Sequence, residues 1–286
     1  MSSMSVSAAV TPSQPARQTL ELSGPKLALA LEILVSHSEE HGGIERYVEA
    51  VQLKSRLFRE ALADGGGRDL DLSTLKVLCA HVATARRRVG RYLEPSRFDR
   101  LREAVARLLA GREDTSGADR RMAEFCACFP DDRAHRWVRD LAAEFLHNVD
   151  PERYPLMSRW VWDARTNTGV LREIWHGPEV DHIVIDVPDR YETFLVLREE
   201  LSRFLTTNGV YRDVTEYVDL LTAQLYAIYI SEQGGNYLRA DFATPEDPMQ
   251  HTRRLLGLDG VAAGGRLRLK AVDGQAVVVE EAKLPD

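Results

Sequence analysis

Apolar residues return every three to four positions along most of this chain, and glycine or proline cuts that rhythm at short intervals. The combination leaves few options besides a set of packed, mid-length helices. Residues 26–41 carry Leu27, Leu31 and Leu34 on one stripe, widened by Leu29 and Ile33, and stop at Gly42-Gly43. The period continues over 44–64 until Gly65-Gly66-Gly67. Asp71 or Ser73 can cap a third helix reaching about residue 93, where Glu94-Pro95 breaks the chain, and Ser96 opens a fourth through 109. Further helices are predicted over 120–129, 132–147, a short stretch toward 162, 170–175, 191–205 and 213–231, the last closed by Gly234-Gly235. A final one runs from Thr244-Pro245 to about 256.

Only two places favour strands. Residues 182–187 are β-branched, short and bounded by Pro178 and Pro188. Near the end, Leu267, Leu269 and Ala271 alternate with Arg266, Arg268 and Lys270, and Asp273-Gly274 supplies a hairpin turn before 276–280. The expected class is therefore mainly α, a multi-helix bundle with one short internal strand and a C-terminal β-hairpin. The expected organisation is a disordered tail over 1–24, an N-terminal helical bundle over 25–110, and a helical part with the small β element over 120–286. The polar segment 111–119 forms the boundary, although the two parts can also make one continuous domain.

With 286 residues the chain can bury a core without staples. No apolar stretch approaches the ~20 residues of a membrane span. The first 24 residues lack the basic and apolar regions of a secretion signal. Cys79, Cys126 and Cys128 are an odd, sparse set that fits reduced thiols, so a cytoplasmic protein without membrane association is expected. The net charge of −7 is uneven, at −2 over 1–40, +3 over 41–160 and −8 over 161–286. Within the middle block, 81–112 holds nine Arg against three acids. Arg86, Arg87, Arg88 and Arg91 are thus candidates for meeting an acidic partner or a nucleic acid, while the overall charge disfavours the latter.

Several spacings have the form of metal sites. His37-Ser38-Glu39-Glu40-His41 fits the H-x-x-E-H pattern of inverted zinc peptidases, but at a frayed helix end before two glycines. Glu144, His147, Glu173 and His176 form two E-x-x-H pairs, each placing a carboxylate and an imidazole on one helical face, and they are the ligands expected if a metal binds. Two such pairs are within what chance supplies, and the prolines between them prevent one long helix, so no cofactor is expected. Cys126-Ala127-Cys128 is too tight for zinc-finger geometry and predicts structural thiols. All four Trp lie within 137–176. Trp137, Trp160, Trp162, Trp175 and Tyr154, interleaved with Arg153 and Arg159, are either core or the clamp of a planar anionic ligand. Phosphate-binding and nucleophile-elbow motifs are absent from the sequence.

Residues 141–161, LAAEFLHNVDPERYPLMSRWV, resemble a stretch of the helix-hairpin-helix DNA glycosylase-like proteins. In these, a helix ending in an apolar-Leu-His turn precedes Pro-x-x-aromatic-Pro and a further helix. The resemblance implies a shared helical architecture. Ser158 stands where the resemblance would place an Asp, and no catalytic Lys matches, which implies nucleic-acid binding without base excision. The function expected from the residues themselves is a non-catalytic helical accessory or regulatory protein that binds a protein partner or a small ligand. The alternative is a metal-dependent enzyme built on 137–176.

Overall fold

The computed structural model describes residues 20–39, 42–62, 65–177, 183–237, 249–258, 267–270 and 276–279. Among them are ten α-helices: α1 (Gly24–Glu39), α2 (Ile44–Leu62), α3 (Leu72–Ala80), α4 (Pro95–Leu109), α5 (Ala118–Cys126), α6 (Trp137–Val149), α7 (Val170–Glu173), α8 (Tyr191–Thr207), α9 (Val214–Tyr237) and α10 (Gln250–Leu256). The mainly helical class holds. Leu267–Lys270 and Ala276–Val279 pair antiparallel, with Leu267 opposite Val279. The intervening Asp273-Gly274 turn lies outside the described residues, as do His41, residue 182 and the Thr244-Pro245 cap.

The centre of the fold is α6. Twelve of its thirteen residues are buried, Arg139 being the exception. A helix apolar on one face only would leave the other side wet; this one is surrounded, with α2, α4 and α5 packed against it. A single hydrophobic cluster runs from Leu20 through Leu34, Phe58, Val105, Phe145 and Leu221 to Leu258. It draws on both sides of the polar 111–119 segment. Two carbonyls of that segment are held by side chains: the Tyr154 hydroxyl donates to Arg112 O at 2.6 Å, and Arg121 Nη2 donates to Asp114 O at 2.9 Å.

Several elements differ from expectation. Residues 20–24, expected in the tail, are tied to the fold: Ser23 N donates to Ile174 O (2.7 Å) and His176 N to Glu21 O (2.8 Å), while residues 1–19 lie outside the described residues. Helix α3 keeps its Asp71 cap, which accepts from Thr74 N at 2.9 Å, but ends at Ala80. Beyond it a succession of single turns buries Val82, Ala85 and Val89, the same spacing a helix would bury. β-Branched Val82 and Thr84 and the like-charged run Arg86-Arg87-Arg88 work against continuous helix there. In contrast, α9 passes through Gly234-Gly235, whose cost of roughly 1 kcal/mol each is too small to stop an established helix.

Residues 151–162 form turns and irregular chain instead of a helix. Pro155 pushes Tyr154 away from helical geometry, and the buried backbone finds a side-chain partner: Tyr154 O accepts from His147 Nδ1 at 2.8 Å. Of the expected internal strand at 182–187, the described residues 183–187 are not in a strand. Residues 183–187 carry no ladder; side chains satisfy their backbone in place of a neighbouring strand. Asn167 Nδ2 and Arg172 Nη1 both donate to Ile183 O (3.1 Å each), Asn167 Oδ1 accepts from Ile185 N (3.1 Å), and Trp162 Nε1 donates to Val187 O (2.9 Å). A β-branched composition fixed extended preference, but pairing needs a second strand beside it, and the surrounding elements are helices.

Candidate functional site

Asp140, Glu144 and Asn148 recur at i+4 along α6, with His147 on the adjoining face, and all four are buried. Each is answered from another element. Asp140 accepts from Arg159 through its backbone N (2.8 Å) and Nη2 (2.8 Å). Glu144 takes the Lys54 ammonium of α2 at 2.7 Å, and the same ammonium donates to Leu256 O of α10 at 2.7 Å. Asn148 Nδ2 donates to Glu144 Oε2 at 3.0 Å, and Ser55 Oγ donates to Asn148 Oδ1 at 3.3 Å. His147 places Nδ1 on Tyr154 O and Nε2 on Asp219 Oδ2 of α9, both at 2.8 Å. Tyr154 O can only accept, so Nδ1 donates to it, and the Asp219 charge and hydrogen bond at Nε2 favour the protonated ring.

The Glu144/His147 half of the expected metal quartet is engaged by other partners, the Lys54 ammonium at 2.7 Å on Glu144 and Tyr154 O and Asp219 on the two ring nitrogens of His147. Glu173 closes the short α7 and His176 is exposed beyond it. Among the described residues no group of three or more His, Cys, Asp and Glu side chains is gathered to hold a metal ion. The zinc-peptidase pattern is described only as far as Glu39; His37 Nδ1 is buried without a hydrogen-bond partner among the described residues.

The aromatic candidates divide. Trp137, Tyr154 and Trp162 are at most 1% exposed, and Trp160 is buried as well. Trp137 packs edge-on against Phe129 (6.0 Å between centroids), and Trp160 packs against Tyr226 (5.7 Å). They are core, and no face is left for stacking on a ligand. Trp175 is half-buried at the bridge to Leu22. Arg153 pairs locally with Asp150 (2.5 Å). Arg87, Arg88 and Arg91 are exposed and Arg86 is half-buried; the first two and Arg86 lie on turns and Arg91 on a short 3-10 helix, Val89–Tyr92.

Arg159 alone of that set reaches an open site. A cavity of about 610 Å³ lies where the end of α5 meets the start of α6, within the size range of small-molecule pockets. Its apolar wall includes Ala123, Ala127, Phe129 and Val138; its polar wall carries Arg136, Arg139, Arg159 and Arg165. Carboxylates fix three of the guanidinium groups: Arg136 to Asp163 (Nη2 to Oδ2, 2.5 Å), Arg139 to Asp189, and Arg159 to Asp140. Arg139 Nη2 also donates to Asp189 O at 2.6 Å. His135 lines the same cavity, with Nδ1 on Asp132 Oδ1 (2.7 Å) and Nε2 accepting from the Tyr92 hydroxyl (2.8 Å). Burial pushes the Cys126 thiol up to about 11, with Arg139 pulling the other way, so Cys126 faces this space as a neutral thiol.

Comparison with known protein families, curated proteins and solved structures returns no match. The residues missed by sequence reasoning are the answering partners: Lys54, Asp140, Asp163, Asp189 and Asp219. Nothing in their local sequence marks them, since each pairs across 19 to 90 positions. The i+4 acid spacing on α6 was the one available hint.

The buried imidazoles give the fold opposing pH responses. Burial first, then the Lys54 charge, holds His81 down at about 4 despite its hydrogen bond to Gly257 O. Its folded value lies below the ordinary 6.5, so the unfolded chain takes up the proton first and stability falls as pH drops from about 6.5 to 4. For His147, burial opposes protonation, but the Asp219 charge and hydrogen bond outweigh it and raise the pKa. Its contribution is complete below the ordinary imidazole value and is lost as pH rises through the raised one. His81→Asn, which keeps a donor at the Nδ1 position, is expected to remove on the order of 2–3 kcal/mol of acid sensitivity between pH 6.5 and 4. Urea midpoints measured at both pH values check this, and an unchanged difference from wild type would refute it.

Proposed function

We propose that this chain is a non-catalytic helical accessory protein that binds a small ligand in the cavity between α5 and α6. One observation carries the proposal: a 610 Å³ space with an apolar wall and four guanidinium groups on the other side, three of them immobilised by carboxylates. Preorganised polar groups around an apolar hollow are the usual composition of a ligand site. Asp140, Glu144 and His147 of α6 are each held by a charged partner from elsewhere in the chain, which supports the non-catalytic part. A cytoplasmic setting and a protein partner that senses occupancy belong to the same proposal; the three free cysteines support the former. The hairpin at the C-terminal end is assigned no part in binding.

A thermal-denaturation screen of small metabolites tests this. At a hundredfold excess over Kd, a bound compound adds about 2.7 kcal/mol, raising Tm by roughly 5–10 °C. Ala127 is exposed on the cavity wall, so Ala127→Trp fills the space without disturbing the core. The shift is expected to vanish in that variant. Shifts that survive Ala127→Trp, or turnover of the bound compound, would overturn the proposal.

A further inference from the structure

We propose that α10 is an acid-released latch, docked on α2 and α3 through carbonyl contacts that a second proton on His81 undoes. A helix leaves its last carbonyls without partners of its own, and here two donors from distant elements meet them. Lys54 Nζ of α2 donates to Leu256 O (2.7 Å), and His81 Nδ1, at the end of α3, donates to Gly257 O (3.2 Å). Thr252 Oγ1 adds a third tie, donating to Gln224 Oε1 of α9 (2.8 Å). Gly257 also lies against the His81 backbone, so closely that a Cβ there would fall 1.7 Å from the His81 carbonyl oxygen. His81 is buried, and the segment it holds is part of its cover.

Gly257 O can only accept, so Nδ1 carries the proton of the neutral ring and a second proton goes to Nε2. The surroundings are unfavourable to that added charge. Lys54 from α2 and Arg86 from the turns after α3 repel it, and the Glu144 carboxylate of α6 is taken by Lys54. Helix α10 carries Arg253, Arg254 and His251 and no acid, while β1 and β2, which pack on α3, carry Arg268 and Lys270 and no acid. Burial first, then Lys54, holds His81 at about 4 while α10 is docked, and the ring returns toward the ordinary 6.5 once α10 leaves. The docked state therefore loses ground as pH falls from about 6.5 to 4. His251, held down by burial and then Arg254, adds to the same trend. With seven residues, α10 is too short to stand alone and buries few side chains, whereas α6 is buried along almost its whole length. Release of α10 ahead of the rest of the fold follows from that difference.

Amide hydrogen exchange on the full chain at pH 7.5 and pH 5, corrected for the intrinsic rates, tests this. The α10 opening constant is expected to be about 30-fold larger at pH 5, while α6 amides stay protected. His81→Asn keeps a donor for Gly257 O but cannot titrate, and is expected to leave only the few-fold remainder due to His251. Linkage gives a second test that spares His81. Thr252→Val removes a tie remote from the ring, so it should speed α10 exchange and raise the NMR titration midpoint of His81 above that of the wild type. An α10 ratio near one, an undiminished ratio in His81→Asn, or a single opening constant shared by α10 and α6 at pH 5 would overturn the latch. So would an unmoved His81 midpoint in a Thr252→Val variant whose α10 exchanges faster.

Discussion

Lys54→Ala is expected to destabilise the protein by about 3–5 kcal/mol at pH 7, measured by urea denaturation. The size follows from what is left behind. Lys54 and Glu144 are 4% and 3% exposed, and removing the ammonium strands a carboxylate in apolar surroundings while also depriving Leu256 O of its donor. Asn148 Nδ2 still reaches Glu144, but one neutral donor is a poor substitute for a cation at 2.7 Å. The double variant Lys54→Met/Glu144→Leu separates the worth of the pair from the cost of breaking it. Replacing both partners by apolar groups of similar size is expected to cost less than Lys54→Ala alone, with a coupling of at least about 2 kcal/mol. Additive losses would show that the pair acts as two independent groups.

Gly257→Ala is expected to undock α10. Gly257 ends that helix at φ +69°, and a Cβ there would lie 1.7 Å from the His81 carbonyl oxygen. The neighbour is backbone, so no side chain can swing aside. The helix would have to move off, breaking the Lys54–Leu256 O, His81–Gly257 O and Thr252–Gln224 hydrogen bonds together. Exposing Met249, Leu256 and Leu258, each buried now, adds a loss on the order of 5 kcal/mol. Hydrogen exchange reads the outcome directly: α10 amides should lose protection while α4 amides keep theirs. Gly111→Ala is the control, because Gly111 has φ +64° but nothing within 4 Å of an added Cβ. It should cost only about 1–2 kcal/mol, the price of left-handed backbone for an L residue. Comparable losses at both glycines would mean that the φ angle alone, not the His81 contact, governs position 257.

Where helices start and stop was legible from caps and breakers when those acted locally. Asp71 capping α3 and the Glu94-Pro95 break before α4 are interactions within a few residues, so a window of sequence contains both partners. Legibility failed where the deciding partner was distant. Val82, Ala85 and Val89 have helical spacing but sit on turns, because spacing records which side chains are buried and not the backbone that buries them. The β-branched 182–187 segment read as a strand; over its described residues 183–187, Asn167, Arg172 and Trp162 take hydrogen bonds that a second strand would have taken.

The candidate site shows the same division more sharply. Glu144 and His147 lie one helical turn apart, and that spacing is equally that of a metal half-site and of two buried ions with separate counter-ions. Lys54 on α2 and Asp219 on α9 decide between them, and they meet α6 only after the helices have packed. The aromatic-rich middle segment was visible in composition, but the choice between core and clamp depended on which faces remained open, and Trp137 and Trp162 left none.

By itself, then, the order of residues determined a helical class, the approximate positions of its helices and a concentration of arginine and tryptophan in the middle of the chain. Those properties rest on local backbone preference and on a periodicity that a single helix already expresses. Tertiary structure alone decided which charges neutralise one another and where a cavity remains. A charge's partner is whatever the fold brings within a few ångströms, and for α6 that distance is bridged from as far as 90 residues away.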